Sequence, residues 1–151
     1  SRGLGDVYKR QRLGCARAMV VHGLDGLDEL STIGKTQISE LRDGEVSTHV
    51  LRPEDVGLST ASPSQLAGGD ARENARLILK VFRGERGPKR DIVVLNAAAA
   101  ICVGGRAQDL REGLEIAQES IDSGAAYQKL RDFIKATGGD FAKLQQLEDQ
   151  L

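Results

Sequence analysis

The chain has 151 residues, of which 40% are apolar and 28% charged, with a net charge of −1. That length supports one domain with a core of its own, and the apolar content excludes a disordered chain. The slightly acidic balance disfavours nucleic acid as a partner, because binders of the phosphate backbone carry a basic surplus. Aromatic residues make up only 3%, so the core is expected from Leu, Ile, Val and Ala. No apolar run approaches the roughly 20 residues of a membrane span, and no secretory h-region opens the sequence. Cys15 and Cys102 stand far apart without metal-ligand spacing, which predicts reduced thiols and a cytoplasmic location.

Residues 1–11, SRGLGDVYKRQ, match over their whole length the translation of a transposase-type sequencing adapter. They are expected to be foreign to the natural polypeptide, which is then expected to continue upstream of Arg12, and are set aside in reading the fold. Without Arg2, Lys9, Arg10 and Asp6 the charge balance becomes more acidic still.

From Arg17 to His22 the run RAMVVH predicts a buried strand. The stretch 23–31, GLDGLDELS, follows as a loop with two glycines and three acids. Residues 36–41 and 46–51 flank a central Asp43-Gly44, a hairpin signal. Residues 52–58 are expected to be an irregular link, with Pro53 set against a helix through that point, and 61–69 a polar loop. Residues 70–82 predict a helix with Asp70 as N-cap, Glu73 completing a capping box, and Ala75, Ile78, Leu79 and Phe82 on one face. Residues 91–103, DIVVLNAAAAICV, begin with β-branched residues, but their length and four alanines favour a buried helix. Two further helices are expected over 107–123, with Leu110, Leu114, Ala117 and Ile121 inward, and over 125–137, with Leu130, Phe133 and Ile134 inward. A short last helix carries Phe141, Leu144 and Leu147.

The acidic loop is the chemically interesting segment, because functional groups gather beyond the carboxyl ends of strands in open α/β sheets. Asp28 and Glu29 are adjacent carboxylates on a glycine-flexed loop, and Mg2+ takes only one or two protein carboxylates beside substrate phosphates. Asp25, three residues earlier, is placed to reach the same ion through water or to touch substrate. The residues alone leave open a solvated acidic loop or a helix N-terminus. His22 lies where strand meets loop and is a secondary candidate for substrate contact. His49, inside the hairpin, is expected at the surface. Asn96, within the apolar helix, needs buried partners and is expected to make a packing or helix-contact hydrogen bond.

Several segments in order, RAMVVHGLDGLDEL, GEVSTHVLRPEDVGL, LAGGDARENA, GPKRDIVVLNAAAAI and EGLEIAQESIDSGAA, resemble successive stretches of the anthranilate phosphoribosyltransferase family. The resemblance runs from Arg12 to Ala126. It implies an α/β fold: residues 12–151 would be the C-terminal portion of a phosphoribosyltransferase/nucleoside-phosphorylase-type domain, an incomplete sheet with a hairpin and several packing helices. It further implies transfer of phosphoribose from phosphoribosyl pyrophosphate to anthranilate in tryptophan biosynthesis, with Mg2+ held by Asp28 and Glu29. The glycine-rich phosphoribosyl loop, the anthranilate contacts and the helical region that makes the homodimer would all lie upstream, leaving this chain inactive alone. ATGGD, residues 136–140, is similar to that phosphoribosyl loop but stands in the wrong part of the chain. A C-cap followed by an N-cap accounts for it, as it does for Gly68-Gly69-Asp70. Alternatives within the same superfamily are a pyrimidine nucleoside phosphorylase and a noncatalytic nucleic-acid-binding relative.

Overall fold

A computed structural model describes residues 2–151. The sheet is organised by the hairpin. Asp43 and Gly44 have φ of 52° and 82°, the left-handed pair that a two-residue turn of type I′ requires. The turn joins β2 (Thr36–Arg42) to β3 (Glu45–Leu51), with Arg42 opposite Glu45. β1 (Ala18–Gly23) lies antiparallel on the other side of β2, from Ala18 opposite Leu41 to Gly23 opposite Thr36, so the strand order is β1-β2-β3.

As the central strand, β2 is covered on both faces. Ile38 faces the main core with Leu30, Leu51, Val81, Val94, Leu95, Ala98, Leu114, Ala117 and Ile121, an aliphatic set against which Phe82 packs from the side. Leu41 faces the other way, into a small cluster with Val7 and Ala18. Alternation along β1 follows the same logic, Met19 and Val21 packing on the main core and Val20 on the small cluster. On this second face Ser39 and Thr48 pair across the strands at 2.9 Å.

Val7 belongs to α1 (Arg2–Arg12), which packs on the sheet. The sequence reading set this stretch aside as foreign and expected no element in it. Ser1, the first residue of the stretch, lies outside the described residues.

The remaining elements are helical: a 3-10 turn at Pro53–Val56, then α2 (Pro63–Leu66), α3 (Ala71–Phe82), α4 (Pro88–Val103), α5 (Leu110–Asp122), α6 (Ala125–Ala136) and α7 (Phe141–Glu148). In three places the structure corrects the expected boundaries, each time at a proline. Residues 52–58 contain the 3-10 turn, 61–69 contain α2, and α4 starts at Pro88 rather than at Asp91. Proline opens each of these elements, where its missing N–H is one the helix end leaves unpaired in any case. The expected cap of α3 forms, Glu73 N donating to Asp70 Oδ1 at 2.8 Å. Leu79 is buried as expected, but Ile78 remains 49% exposed and Phe133 63% exposed.

Small residues set the approach of α4 and α5. A Cβ at Gly113 would lie 2.8 Å from the Ala98 carbonyl oxygen and 3.1 Å from its Cα. Arg90, in the first turn of α4, is 6% exposed and reaches Asp122 at the end of α5 at 2.7 Å. It also donates to the carbonyl of Gly84 after α3 at 3.3 Å. Arg17, just ahead of β1, donates to the Cys102 carbonyl in the last turn of α4 at 2.9 Å, where a cation also suits the helix dipole.

Two stability predictions follow from these contacts. Gly113→Ala gains about 1 kcal/mol of helix propensity, yet the clash is with backbone, so overpacking costing about 1–3 kcal/mol prevails. Urea unfolding will show a lower midpoint than for the parent chain. The hydrogen bond from Arg90, with the Arg90 and Arg86 charges, holds the Asp122 carboxyl below its ordinary value. A folded-state pKa below the unfolded one stabilises above the unfolded value and stops doing so as pH falls through the folded value. Asp122→Asn will therefore be less stable than the parent at neutral pH, and the gap in urea midpoints will close in acid, below about pH 4.

Candidate metal-binding loop

β1 ends at Gly23, and the chain reverses at once: Gly26 N donates to Gly23 O at 3.0 Å and Gly23 N to Leu27 O at 2.9 Å. Leu24 N donates to Lys35 O at 2.7 Å, which closes the base of the loop. Inside this base sits the Asp25 carboxylate. Its Oδ1 accepts from Leu27 N at 3.1 Å and its Oδ2 from the Ser31 hydroxyl at 2.5 Å. The Ser31 Oγ in turn accepts from Ile33 N at 2.9 Å and Gly34 N at 3.3 Å. A Cβ on Gly23 would stand 2.7 Å from Asp25 Oδ1 and one on Gly34 3.1 Å from Oδ2. Both glycines thus make room for this carboxylate. Asp25 has a partner on each oxygen within the loop and serves as its internal brace.

Asp28 and Glu29 follow at the outer part of the loop, Asp28 exposed and Glu29 half-buried. Burial, with the neighbouring Asp28 charge adding to it, raises the Glu29 carboxyl above its ordinary value. Among the described residues, no hydrogen bond or cation counters that rise. Two adjacent negative charges, one partly withdrawn from water and neither compensated, form a site that a divalent cation would relieve. Among the described residues, no three or more His, Cys, Asp and Glu gather to hold a metal ion. The structure therefore brings Asp28 and Glu29 together as a pair and does not join Asp25 or His22 to them in one such group. Two carboxylates fit Mg2+, which fills its other positions with water and phosphate oxygens.

Immediately after the pair the chain is held from the side. Leu30 N donates to Asn96 Oδ1 at 2.9 Å, and Asn96 Nδ2 donates to Leu30 O at 2.9 Å and to Ile92 O at 3.0 Å. The expected helix-contact bond of Asn96 is present, within α4, but two of its bonds go to the acidic loop. Ser31 N donates to Thr36 Oγ1 at 2.9 Å, and Leu30, Ser31 and Thr36 are all buried. Ser31 and Asn96 are thus the residues that sequence reasoning undervalued. Their one signal was an isolated amide in an apolar helix, which says that a partner exists without saying where.

His22 is exposed, opposite Gln37 of β2, and His49 is exposed on β3. Asp140 caps α7, accepting from Ala142 N at 2.9 Å and Lys143 N at 3.4 Å. Gly138 before it has φ of 69°, so the capping account of residues 136–140 holds. Two surface grooves lie elsewhere, one between the sheet and the start of α5 and one between α3 and α4. Neither is lined by Asp25, Asp28 or Glu29.

The chain is a mixed α/β unit with an adjacent carboxylate pair beyond the end of β1. The comparisons name the class: residues 8–127 match the glycosyl transferase family, a/b domain, and the chain belongs to that family. Within it, the chain is 54% identical over 125 residues to the anthranilate phosphoribosyltransferase of Acetivibrio thermocellus, covering 83% of this chain and 36% of that protein. Its fold superposes on the anthranilate phosphoribosyltransferase of Thermus thermophilus with a TM-score of 0.74 and 39% identity, covering 83% of this chain and 36% of that one. The Saccharomyces cerevisiae enzyme, solved in complex with PRPP and Mg, gives a TM-score of 0.71 at 33% identity, over 80% of this chain and 35% of that one. The chain thus spans about a third of the length of the relatives it matches.

The brace itself can be tested. Ser31→Ala leaves an Asp25 oxygen and the Ile33 and Gly34 amides without their partner, a loss of about 1–3 kcal/mol. Hydrogen exchange will be faster at Ile33 and Gly34 than in the parent, while amides of α5 keep their rates.

Proposed function

We propose that this chain is part of an anthranilate phosphoribosyltransferase of tryptophan biosynthesis, joining C1 of the ribose of phosphoribosyl pyrophosphate to the amine of anthranilate with release of pyrophosphate. The observation that carries the reading is the uncompensated Asp28–Glu29 pair at the end of β1, in a chain whose matched relatives bear that activity in their names. Those names favour it over a nucleoside phosphorylase or a nucleic-acid-binding member of the superfamily.

In this reading Asp28 and Glu29 hold Mg2+, with Asp25 in the same loop and His22, near the end of β1, toward substrate. The bound ion would neutralise charge building on the pyrophosphate as the glycosidic bond breaks. The protein's own part is to keep two carboxylates adjacent, Asp28 exposed and Glu29 half-buried, so that the ion is attracted without being enclosed. Asp25 contributes by holding the loop. Phosphoribosyl and anthranilate contacts, and the surface of a homodimer, are assigned to polypeptide beyond this chain. Among the described residues no helix is long and apolar enough to cross a membrane. Free Cys15 and Cys102 suit a reducing compartment, and we place the enzyme in the cytoplasm.

Two outcomes are expected. In a full-length polypeptide carrying this chain, Asp28→Asn and Glu29→Gln will each lower kcat/KM for the pyrophosphate substrate by about 10²-fold at limiting Mg2+. Parent rates in both variants would remove the metal assignment. The 151-residue chain alone will give no magnesium-dependent consumption of anthranilate by fluorescence, and measurable turnover would show that its substrate contacts are already complete.

A further inference from the structure

Asn96 sits on α4, far along the chain from the acidic loop, and spends its hydrogen-bonding capacity on two carbonyls and one amide. Leu30 N reaches its Oδ1 at 2.9 Å, and its Nδ2 reaches Leu30 O at 2.9 Å and Ile92 O at 3.0 Å. The bond to Ile92, four residues earlier on the same helix, fixes which way the amide faces. A flipped amide would oppose its oxygen to two carbonyls. The pairing with Leu30 is therefore directional and holds both peptide groups flanking that residue.

One of those peptides is the Glu29–Leu30 peptide, so its plane determines where Glu29 departs from the backbone. The Leu30 side chain has no exposed surface and belongs to the main core. Leu30 is consequently fixed through its side chain and both backbone groups. The residues before it, Asp28 and Glu29, have no comparable tie.

We propose that Asn96 is a positioning residue for the Asp28–Glu29 pair: through Leu30 it sets the peptide from which Glu29 projects and so the separation and direction of the two carboxylates. This rests on the reading of the pair as the metal site. Asn96 itself touches neither metal nor substrate. Its effect is on the affinity of the pair for a divalent ion, a quantity that a role in packing alone would leave unchanged.

The test uses a full-length polypeptide carrying this chain, with Mn2+ as a spectroscopic substitute for Mg2+ and inorganic pyrophosphate as the probe. Free and bound Mn2+ are followed by electron paramagnetic resonance at a temperature where circular dichroism shows each variant folded. Asn96→Leu is expected to weaken Mn2+ binding about tenfold, in the range found when a residue supporting metal ligands is lost. Combined with Glu29→Gln, it is expected to add little beyond the single substitution, because the two act on one site. A folded Asn96→Leu that binds Mn2+ as the parent does overturns the proposal, as does full additivity with Glu29→Gln. Should Asn96→Leu fail to fold, Asn96→Asp keeps the size and the oxygen that accepts from Leu30 and loses both donated bonds; parent-like Mn2+ binding in that folded variant is equally fatal. A measurement on the parent needs no substitution. Coupling is reciprocal, so saturation with Mg2+ and pyrophosphate is expected to slow hydrogen exchange at the Leu30 amide, and an unchanged rate rejects the idea. Glu29→Gln alone separates the two levels: if it leaves Mn2+ binding intact, the metal reading itself fails, whereas a loss there with none in the Asn96 variants rejects only the role of Asn96.

Discussion

The paired hydrogen bonds between the Asn96 amide and the backbone of Leu30 are the constraint on which the rest of the structure depends. A loop that crosses from a strand end into a core carries polar backbone groups inward, and each must find a partner. Leu30 and Ser31 are both buried, and neither uses a strand ladder at that point. Asn96 satisfies the first and Thr36 Oγ1 the amide of the second. Because Asn96 belongs to α4, which also packs closely on α5 around Ala98 and Gly113, the loop takes its position from that helix pair. An irregular segment thereby acquires the rigidity of a helix pair.

That arrangement permits a division of labour among the acids. Asp25, though exposed, has a hydrogen-bond partner within the loop on each oxygen. Asp28 and Glu29 are left without such partners, and the Glu29 carboxyl is raised by burial and by its neighbour. A carboxylate that accepts strong hydrogen bonds within the protein has little left to offer a cation, whereas an uncompensated pair gains most from one. Three acids within five residues look alike in a sequence. Their partners separate them into one that holds the loop and two without such bonds among the described residues.

The same contrast explains what could be read before the structure. Regular elements were legible because their signals are local: Asp43-Gly44 marks the hairpin, Asp70 the start of α3, and the alanines after Asn96 a helix that tolerates close packing. Pro53 misled, since a residue that forbids a helix interior also favours its first position, and Pro63 and Pro88 open helices in the same way. Ile78 and Phe133 fell on the expected faces but stay exposed, because periodicity says which residues share a face and not what lies opposite. Asp28 and Glu29 were visible by type and adjacency. Ser31 and Asn96 were not, because the bonds that give them meaning cross 6 and 66 residues of chain.

A site of this kind is also necessarily shared. Mg2+ demands near-ideal geometry but few protein ligands, so the protein need fix only two carboxylates and may leave the remaining positions to water and phosphate. The fold here does that much. It holds one loop through a buried amide and carries two charges beyond a strand end. In the proposed reading, the buried contact between α4 and the β1 loop would set how the two carboxylates meet a metal, whatever else selects the substrate.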